Sequence, residues 1–447
     1  MNELLDQTDL TEKAARLVAA ARRAGADAAD TICVRGVSQG VEVRLGKVEE
    51  TGRSEGNDFT LRVFVGKRSA IVSANVLSDP AELAARAVAM AKVAPEDKFA
   101  GLADKSRLAT TFPDRDLLDT TIPSAAELTE KALAAEDAAR AVPGVTNSGG
   151  ASSGWSLGGL VLATSDGFAG SYLTSRSSVS VSAIAGSGTG MERDYDFDSK
   201  VYRSDLADPE EIGRNAGQRA VRRLNPRQMP SGRLTVVYDP RIATSLIGHL
   251  AGAVNGASIA RKTSFIRDRL GKAVFGPAIR ISDDPTRPRG LASRTFDGEG
   301  VSSEPLDIVS GGVLQTWLLD SATARELGLQ TNGRASRGGG NPSPGSTNLT
   351  LHPGAETPEE MIRAIGTGLY VTELIGHGAS TVTGDYSRGA AGFAIENGEI
   401  AYPVSEITIA GNLTDIFREM RPANDLVYRF ATNSPTVAVP GLIVAGR

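Results

Sequence analysis

The sequence has few of the residues that bind metals or form cross-links. Its 447 residues include one cysteine and three histidines, and aromatic residues make up only 5% of the chain. The single cysteine, Cys33, excludes an internal disulfide, and the apolar run around it indicates a small buried side chain. A metal centre in this chain would therefore need specific support from the spacing of its few ligands.

Long apolar runs and an excess of positive charge are also missing. No segment approaches the roughly 18 consecutive apolar residues that a membrane-spanning helix requires, and the N-terminus lacks the apolar stretch of a signal peptide. The formal net charge is -5, which provides no positive field for a phosphate backbone. We therefore expect a cytoplasmic protein whose partners include no nucleic acid and no membrane.

The composition is otherwise that of a turn-rich globular protein, with 40% apolar residues and 50 glycines. The chain is too long for one compact core. We predict an α+β protein, in which an α/β N-terminal part precedes a β-rich C-terminal domain. The predicted divisions are an N-terminal α/β domain at 1–110, a central α/β region at 124–228 and a C-terminal domain at 232–447.

Helix and strand patterns occur twice in the N-terminal half. Apolar residues at helical spacing, with capping residues before them, predict helices at 9–25, 78–94, 124–141 and from 208 onward. Runs of period two, bounded by glycines, predict strands between the helices of each pair. Residues 11–94 and 126–224 could therefore be two versions of one helix, strands, helix unit. The matching Asp-Pro helix starts are also common helix openers, so a chance likeness stays open.

The stretch "SLIGHLAGAVNGASIARKTS", residues 245 to 264, has the build of a metal-binding helix. Zinc peptidases place two histidines one turn apart on a helix, with a glutamate beside the first that takes a proton from the bound water. Here Leu250 follows His249, and one turn later the chain has Gly252, Ala253 and Val254. None of these side chains binds a cation, so we interpret His249 as a core or rim histidine.

Two further patterns are near misses to metal sites. His352 and His377 are isolated, and scattered histidines seldom converge on one ion. Asp194, Asp196 and Asp198 begin like a calcium loop, but the required glycine and the closing glutamate are replaced by serine and aspartate. We predict a solvated or salt-bridged acidic turn there.

Two G-x-S-x-G matches, around Ser38 and Ser152, raise the possibility of a serine nucleophile. A nucleophile elbow needs a strand before it and a helix after it. Both matches fall within strand-rich regions, where we interpret them as glycine-rich connections between strands. We therefore expect neither serine to be catalytic.

The segment from Thr331 to Leu351 is dense in glycine, proline and asparagine. Segments of this length without regular structure are often functional or disordered. Backbone amides and two arginines could hold an extended peptide or a carboxylate, and a surface loop without a ligand is the alternative. The candidate peptide-binding residues are Arg334, Arg337, Asn341 and Asn348.

Several stretches together resemble one known family. They are "MERDYDFDSKVY", "LTVVYDPRIATSLIGHLAGAVNG", "ASIARKTSF", "DGEGVSSEPLDIVSGGVLQTWLLD", "NPSPGSTNL" and "SEITIAGNLTDIF". The sequence resembles the TldD/PmbA family, once named for modulation of DNA gyrase, and within it the PmbA branch, also called TldE. The likeness covers nearly the whole chain.

The resemblance has consequences for the metal site. In the TldD branch the zinc helix carries an HExxxH pattern, and a cysteine near the C-terminus is a further ligand. On that pattern this sequence keeps His249, has Leu250 in place of the glutamate and Val254 in place of the second histidine. Cys33 lies at the opposite end of the chain from the expected ligand. The resemblance therefore implies no catalytic and no metal-binding residue in this chain, which alone should be inactive.

The resemblance also implies partners. TldD and PmbA chains together form a metallopeptidase that degrades or processes unfolded or flexible peptides. This chain would be the non-metal subunit, with no cofactor of its own and zinc in the TldD partner, and it could form a homodimer when isolated. The alternative hypothesis is a non-catalytic regulatory binding protein that acts on gyrase or another cytosolic client.

Overall fold

The computed structural model describes residues 5–77 and 79–446, and its N-terminal half contains one six-stranded antiparallel sheet. The strands are β1 (Ala28–Arg44), β2 (Lys47–Val65), β3 (Arg68–Ala74), β4 (Val145–Thr164), β5 (Ala169–Ala185) and β6 (Glu192–Lys200). They are arranged in the order β3-β2-β1-β4-β5-β6. Since β1 and β4 pair at the centre, residues predicted to form two separate regions contribute to one continuous sheet.

Among the described residues, four α-helices of eight residues or more accompany this sheet, two for each half. They are α1 (Thr8–Arg23), α2 (Pro80–Val93), α3 (Ala125–Arg140) and α4 (Pro209–Arg222). Side chains of Asp79, Ser124 and Asp208 accept hydrogen bonds from the first turns of α2, α3 and α4, which confirms capping at these three helices. The cap expected at Asp9 is wrong, because α1 already begins at Thr8 and the residue before it, Gln7, makes no side-chain cap. The order of helix, three strands and helix thus occurs twice, and the predicted α/β character of this half is confirmed.

The two faces of the sheet have different roles. Odd-numbered residues of β1 and β4, such as Cys33 and Val161, pack against α1 and α2, while Val41 and Ala151 pack against α3 and α4. Because side chains alternate along a strand, the even-numbered residues form the opposite face. We call this opposite surface the even face, and it is the one that meets the C-terminal half of the chain.

The C-terminal half contains three sheets. Its strands are β7 (Gly232–Tyr238), β8 (Ile281–Asp283), β9 (Leu306–Ser310), β10 (Val313–Leu314), β11 (Ala335–Ser336), β12 (Ser343–Pro344), β13 (Leu349–Leu351), β14 (Gly368–Ile375), β15 (Asp385–Glu396), β16 (Glu399–Asn412), β17 (Arg421–Pro422), β18 (Thr432–Asn433) and β19 (Val437–Ala445). Six strands follow the order β16-β15-β14-β7-β19-β17, and β16 also pairs with β19, which closes this sheet on itself. The order β10-β9-β8-β13-β18 forms a second sheet, and β11 and β12 form a hairpin.

Five helices lie among these strands. They are α5 (Pro240–Ala253), α6 (Gly256–Ala260), α7 (Ser321–Leu327), α8 (Pro358–Ile365) and α9 (Leu413–Glu419). Asn397 and Gly398 both have positive φ and form the tight turn between β15 and β16, as an Asn-Gly pair favours. The C-terminal half is β-rich, as predicted.

An aromatic cluster joins the two halves. Phe296 of the C-terminal half packs edge-on against Phe168 and Tyr172, with ring centroids 5.3 and 5.2 Å apart. The cluster covers Ile32 and Leu162 of the even face. Among the described residues, no helix combines the length and apolar character needed to cross a membrane. The division of the chain at 1–110, 124–228 and 232–447 stays a prediction.

The contact between α3 and α4 depends on glycine. A Cβ atom at Gly213 would lie 2.2 Å from the carbonyl oxygen of Ala135 on the neighbouring helix. We predict that Gly213→Ala lowers the free energy of unfolding by about 1–3 kcal/mol, because the helices must move apart. Gly248→Ala is the matched control, since that helical glycine has no atom within 4 Å of an added Cβ, and it should stabilise the protein by about 0.5–1 kcal/mol. Urea unfolding measures both, and equal effects would contradict the close contact.

Candidate functional site

Helix α5 begins and ends where its sequence dictates. The carboxylate of Asp239 accepts a hydrogen bond from the backbone N–H of Arg241, and Pro240 occupies the first helical position. Asn255 then caps the short helix α6 that follows. The helix contacts β14 of the closed sheet and β13 and β18 of the five-stranded sheet, so it lies between two layers of strands.

His249 lies on the less buried side of α5. Its ring packs edge-on against Tyr386, with 5.9 Å between the ring centroids. Its Nε2 atom is buried and has no hydrogen-bond partner. Burial, and then the positive charge of Arg388, lower the pKa of His249, so the neutral imidazole is favoured. A neutral imidazole can bind a metal only if other ligands join it.

The positions that would carry those ligands are occupied by the core. Leu250 and Val254 are 0% exposed and pack in the main apolar cluster between the two sheets. Within residues 5–77 and 79–446, no group of three or more His, Cys, Asp or Glu side chains is arranged to hold a metal ion. The donor set around His249 therefore does not fit a zinc ion.

The remaining histidines and the cysteine have other environments. His352 Nε2 lies 2.8 Å from the hydroxyl of Ser282, and His377 is exposed after β14. Cys33 is a buried free thiol, and burial raises its pKa to about 11. A thiol with so high a pKa is a poor nucleophile and a poor metal ligand at neutral pH.

The acidic run at Asp194, Asp196 and Asp198 is a strand rather than the predicted turn. All three side chains lie in β6 and are buried. They are salt-bridged as predicted: Asp196 contacts Arg219 and Arg429 at 2.9 and 3.0 Å. Alternate residues of a strand point to the same face, so these three carboxylates lie on one side of β6. Basic side chains from other elements pair with them there.

The sequence suggested that the two G-x-S-x-G serines lie in connections between strands. The structure instead places both of them within strands. Ser38 is in the middle of β1, opposite Ser156 of β4, and Ser152 of β4 is opposite Glu42. The hydroxyls of Ser152 and Ser180 are 2.8 Å apart. A serine in the middle of a flat strand lacks the sharp turn of a nucleophile elbow.

The Thr331 segment has internal partners for most of its polar side chains. Arg334 is 0% exposed and forms a salt bridge with the fully buried Asp283. Its guanidinium also donates to the carbonyl of Glu304 at 2.7 Å. Asn348 is buried and donates to the hydroxyl of Ser293 at 2.7 Å. These two side chains connect separate segments of the C-terminal half and are themselves buried.

Arg337 crosses from the same segment to the first sheet. Its side chain is 0% exposed and its Nη1 donates to Asp30 Oδ1 at 2.8 Å. Of the four candidate peptide-binding residues, Asn341 is the one whose side chain is exposed. The peptide-binding role of these residues stays a prediction, and the burial of the other three argues against it.

Asp30 belongs to a buried network of charges that the sequence analysis missed. Although burial raises the pKa of Asp30, the charges of Arg62 and Arg337 hold it below its usual value. Arg62 also lies 4.0 Å from Glu299, whose carboxylate accepts a hydrogen bond from the backbone N–H of Ser321 at 2.8 Å. The available signal was a charged residue in each of two apolar strand runs, "DTICV" and "TLRVFV".

An open cleft lies beside this network on the even face. Its volume is about 520 Å³, and Gly290, Leu291 and Ser293 of the C-terminal half form part of its wall. Glycine and serine replace large side chains across three rows of β2, β1 and β4. The rows are Gly56, Gly36 and Gly158; Ser54, Ser38 and Ser156; and Gly52, Gly40 and Gly154. The result is a flat surface that an extended chain could approach closely.

The buried role of Arg334 can be tested by its removal. We predict that Arg334→Met lowers the free energy of unfolding by about 3–5 kcal/mol, because it leaves the Asp283 carboxylate buried without its cation. Asn341→Ala should stay within about 0.5 kcal/mol of the parent protein. Chemical denaturation provides both values. An Arg334→Met protein of unchanged stability would instead favour a surface role for this arginine.

Glu299 makes stability depend on pH. Burial, and then the nearby Asp297 carboxylate, raise the pKa of Glu299 to about 7. The folded state therefore keeps a proton that the unfolded chain releases. As a result, this group lowers the free energy of unfolding as the pH rises through about 7. We predict that Glu299→Gln gains stability relative to the parent protein between about pH 5 and pH 8. Denaturation curves at several pH values test this, with the exposed Glu304→Gln as control; parallel curves for Glu299→Gln and its parent would contradict it.

Comparisons with known proteins agree with this architecture. Three family models match the chain: PmbA/TldA metallopeptidase domain 1 at residues 29–91, the central domain at 119–224 and the C-terminal domain at 231–446. A metalloprotease PmbA from Escherichia coli O157:H7 is 38% identical over 94% of this chain and 93% of its own length. A metalloprotease PmbA homolog from Haemophilus influenzae is 37% identical over 98% of this chain and 97% of its own.

Solved structures share the fold. A putative modulator of DNA gyrase from Bacteroides thetaiotaomicron superposes with a TM-score of 0.91 at 25% identity, over 99% of this chain and 100% of that one. TldE from Thermococcus kodakarensis superposes with a TM-score of 0.87 at 19% identity, over 97% and 99% of the two chains. With relatives of this identity along nearly its whole length, the chain belongs to the TldD/PmbA metallopeptidase family, in its PmbA branch.

Proposed function

We propose that this chain is the non-metal subunit of a two-chain metallopeptidase, in which a TldD-like partner supplies the zinc. The observation that carries the proposal is the chemistry of α5. His249 remains at the position of a family ligand, while Leu250 and Val254 are core side chains between two sheets. A peptidase subunit built this way depends on another chain for its metal and its base.

Family membership supports a role in peptide hydrolysis. Close relatives are named metalloproteases, yet this chain offers one half-buried imidazole where a zinc site needs three protein ligands. Zinc in the partner would activate a water molecule for attack on the peptide. In this chain the neutral His249 and its aromatic neighbour Tyr386 serve packing.

The cleft on the even face supports a role in holding the substrate. Glycine and serine form much of its floor, and the larger side chains that line it include Leu157 and Arg176. Unfolded or flexible peptides present an accessible main chain and varied side chains, so a wide and polar cleft suits them. In the proposed complex, which we expect to act in the cytoplasm, the cleft forms part of the chamber wall.

A regulatory role is the second candidate. It is favoured by the name of the Bacteroides thetaiotaomicron structure, a putative modulator of DNA gyrase. The net charge of -5 argues against direct binding of DNA. A gyrase regulator would act without a peptidase partner, which separates the two candidates experimentally.

Reconstitution tests the proposed function. We predict that the purified, tag-free chain contains well under one zinc per chain and cleaves no unfolded protein, and that activity arises when a TldD-like subunit is added. His249→Ala in this chain should leave the activity of the mixture within about twofold, because His249 binds no metal. A peptidase assay on unfolded casein, together with metal analysis, provides the readout.

The matched control is in the partner. Replacement of the glutamate in its HExxxH pattern with glutamine should abolish activity, because that side chain takes the proton from the bound water. Stoichiometric zinc in this chain alone, or peptidase activity without the partner, would refute the proposal. Recovery of gyrase and no TldD-like chain in pull-downs would favour the regulatory role.

A further inference from the structure

A second cavity lies beside α5, away from the cleft on the even face. Its volume is about 290 Å³, and its wall comes from the first turns of α5, the start of β6 and the strands β14 and β15. Thr244 and Ser245 of α5 line it, one turn before His249. The cavity therefore adjoins the helix that is the counterpart of the family's metal-binding helix.

The lining of this cavity carries charges of both signs. Four arginines and two carboxylates form its wall: Arg193, Arg223, Arg241 and Arg388, with Asp194 and Glu373. Two of the arginines are neutralised locally. Arg241 contacts Asp194 at 3.0 Å and Asp239 at 3.2 Å, and Arg223 pairs with Glu373 and lies 3.5 Å from Glu192.

The other two arginines have no carboxylate partner within the described residues. The Nε of Arg388 donates to the carbonyl oxygen of Ile375 at 3.3 Å, and no ion pair involves this side chain. Arg193, at the start of β6, is exposed and has neither a hydrogen bond nor an ion pair from its side chain within that range. Two arginines that line one cavity therefore have no ion pair of their own among the described residues.

An unpartnered hydroxyl reinforces this arrangement. Thr372 lines the cavity, and its buried Oγ1 atom has no hydrogen-bond partner. It is the extra residue at a register shift between β14 and β15, where Val371 and Glu373 face successive residues of β15. Bulges of this kind redirect a side chain and are frequent next to binding sites. A buried polar atom without a partner also calls for a ligand or a water molecule.

We propose that this cavity binds the carboxylate of a peptide, with Arg193 and Arg388 as its two cationic contacts and Thr372 as a hydroxyl donor. The planar guanidinium group matches a carboxylate with two parallel hydrogen bonds. The proposal rests on the proposed function, since it makes the peptide substrate the source of the anion. A carboxylate held here anchors one point of the substrate beside α5 and so positions the rest of the peptide.

Calorimetric titration of the full-length chain with three short peptides tests the proposal. The first is N-acetylated tetra-alanine with a free C-terminal carboxylate, the second is its C-terminal amide, and the third is an amide with a glutamate in the second position. The free acid or the glutamate peptide should bind at least about tenfold more tightly than the tetra-alanine amide. The peptide that gains affinity identifies the source of the carboxylate as the C-terminus or an acidic side chain.

Single substitutions locate the site. Arg388→Gln and Arg193→Gln should each reduce the preference for the carboxylate to about threefold or less, with the weak affinity for the amide unchanged. Arg86→Gln is the matched control, because Arg86 is an exposed arginine on α2 that does not line the cavity. It should keep the full preference. Arg193 is at the surface, so its substitution tests the site even where Arg388→Gln unfolds the protein.

Two results would overturn the proposal. One is equal binding, or no binding, of all three peptides by the parent protein. The other is a carboxylate preference that survives in folded Arg193→Gln and Arg388→Gln proteins. The titration needs neither zinc nor a partner, so its failure refutes the carboxylate site alone, whereas failed reconstitution of peptidase activity refutes the subunit role alone.

Discussion

A buried carboxylate, Asp30, held between the guanidinium groups of Arg62 and Arg337, joins the two halves of this protein. Asp30 and Arg62 belong to the first sheet, and Arg337 belongs to the C-terminal half. Each charge would cost several kcal/mol if it were buried alone, so none of the three can leave without the others losing their compensation. The network therefore fixes the distance and orientation of the C-terminal half over one end of the even face.

The open cleft follows from that arrangement. Near the network the even face carries Ile32 and Leu162, which Phe296 and its aromatic neighbours cover. Further along the same strands many side chains are glycine or serine, and an open cleft remains between the sheet and Gly290, Leu291 and Ser293 of the C-terminal half. The backbone N–H and C=O groups of these strands are paired with neighbouring strands, so this surface needs no further hydrogen-bond partners from the C-terminal half. At one end of the even face, buried ion pairs connect the two halves of the chain. At the other end, small side chains leave an open cleft.

The α5 helix illustrates how packing can take the place of chemistry. Leu250 and Val254 lie between the two C-terminal sheets and are fully buried, where each contributes about 1.5–3 kcal/mol through the removal of apolar surface from water. A glutamate or histidine at those positions would bury a polar group in an apolar cluster and would require compensating partners. The exposed side of the helix instead adjoins a cavity with two uncompensated arginines.

The sequence alone determined the features that depend on a few neighbouring residues. Asp79, Ser124 and Asp208 cap their helices, Asn397 and Gly398 form a hairpin, and α5 lacks ligands, because capping, turns and ligand spacing are local rules. Only the tertiary structure showed the buried ion pairs of Arg334 and Arg337, which the sequence alone had made candidates for peptide binding. It also brought Arg193 and Arg388, which belong to separate sheets, to the wall of one cavity. The meaning of a charged side chain is set by the partners and the burial that long-range packing provides, and neither is written in the residues beside it.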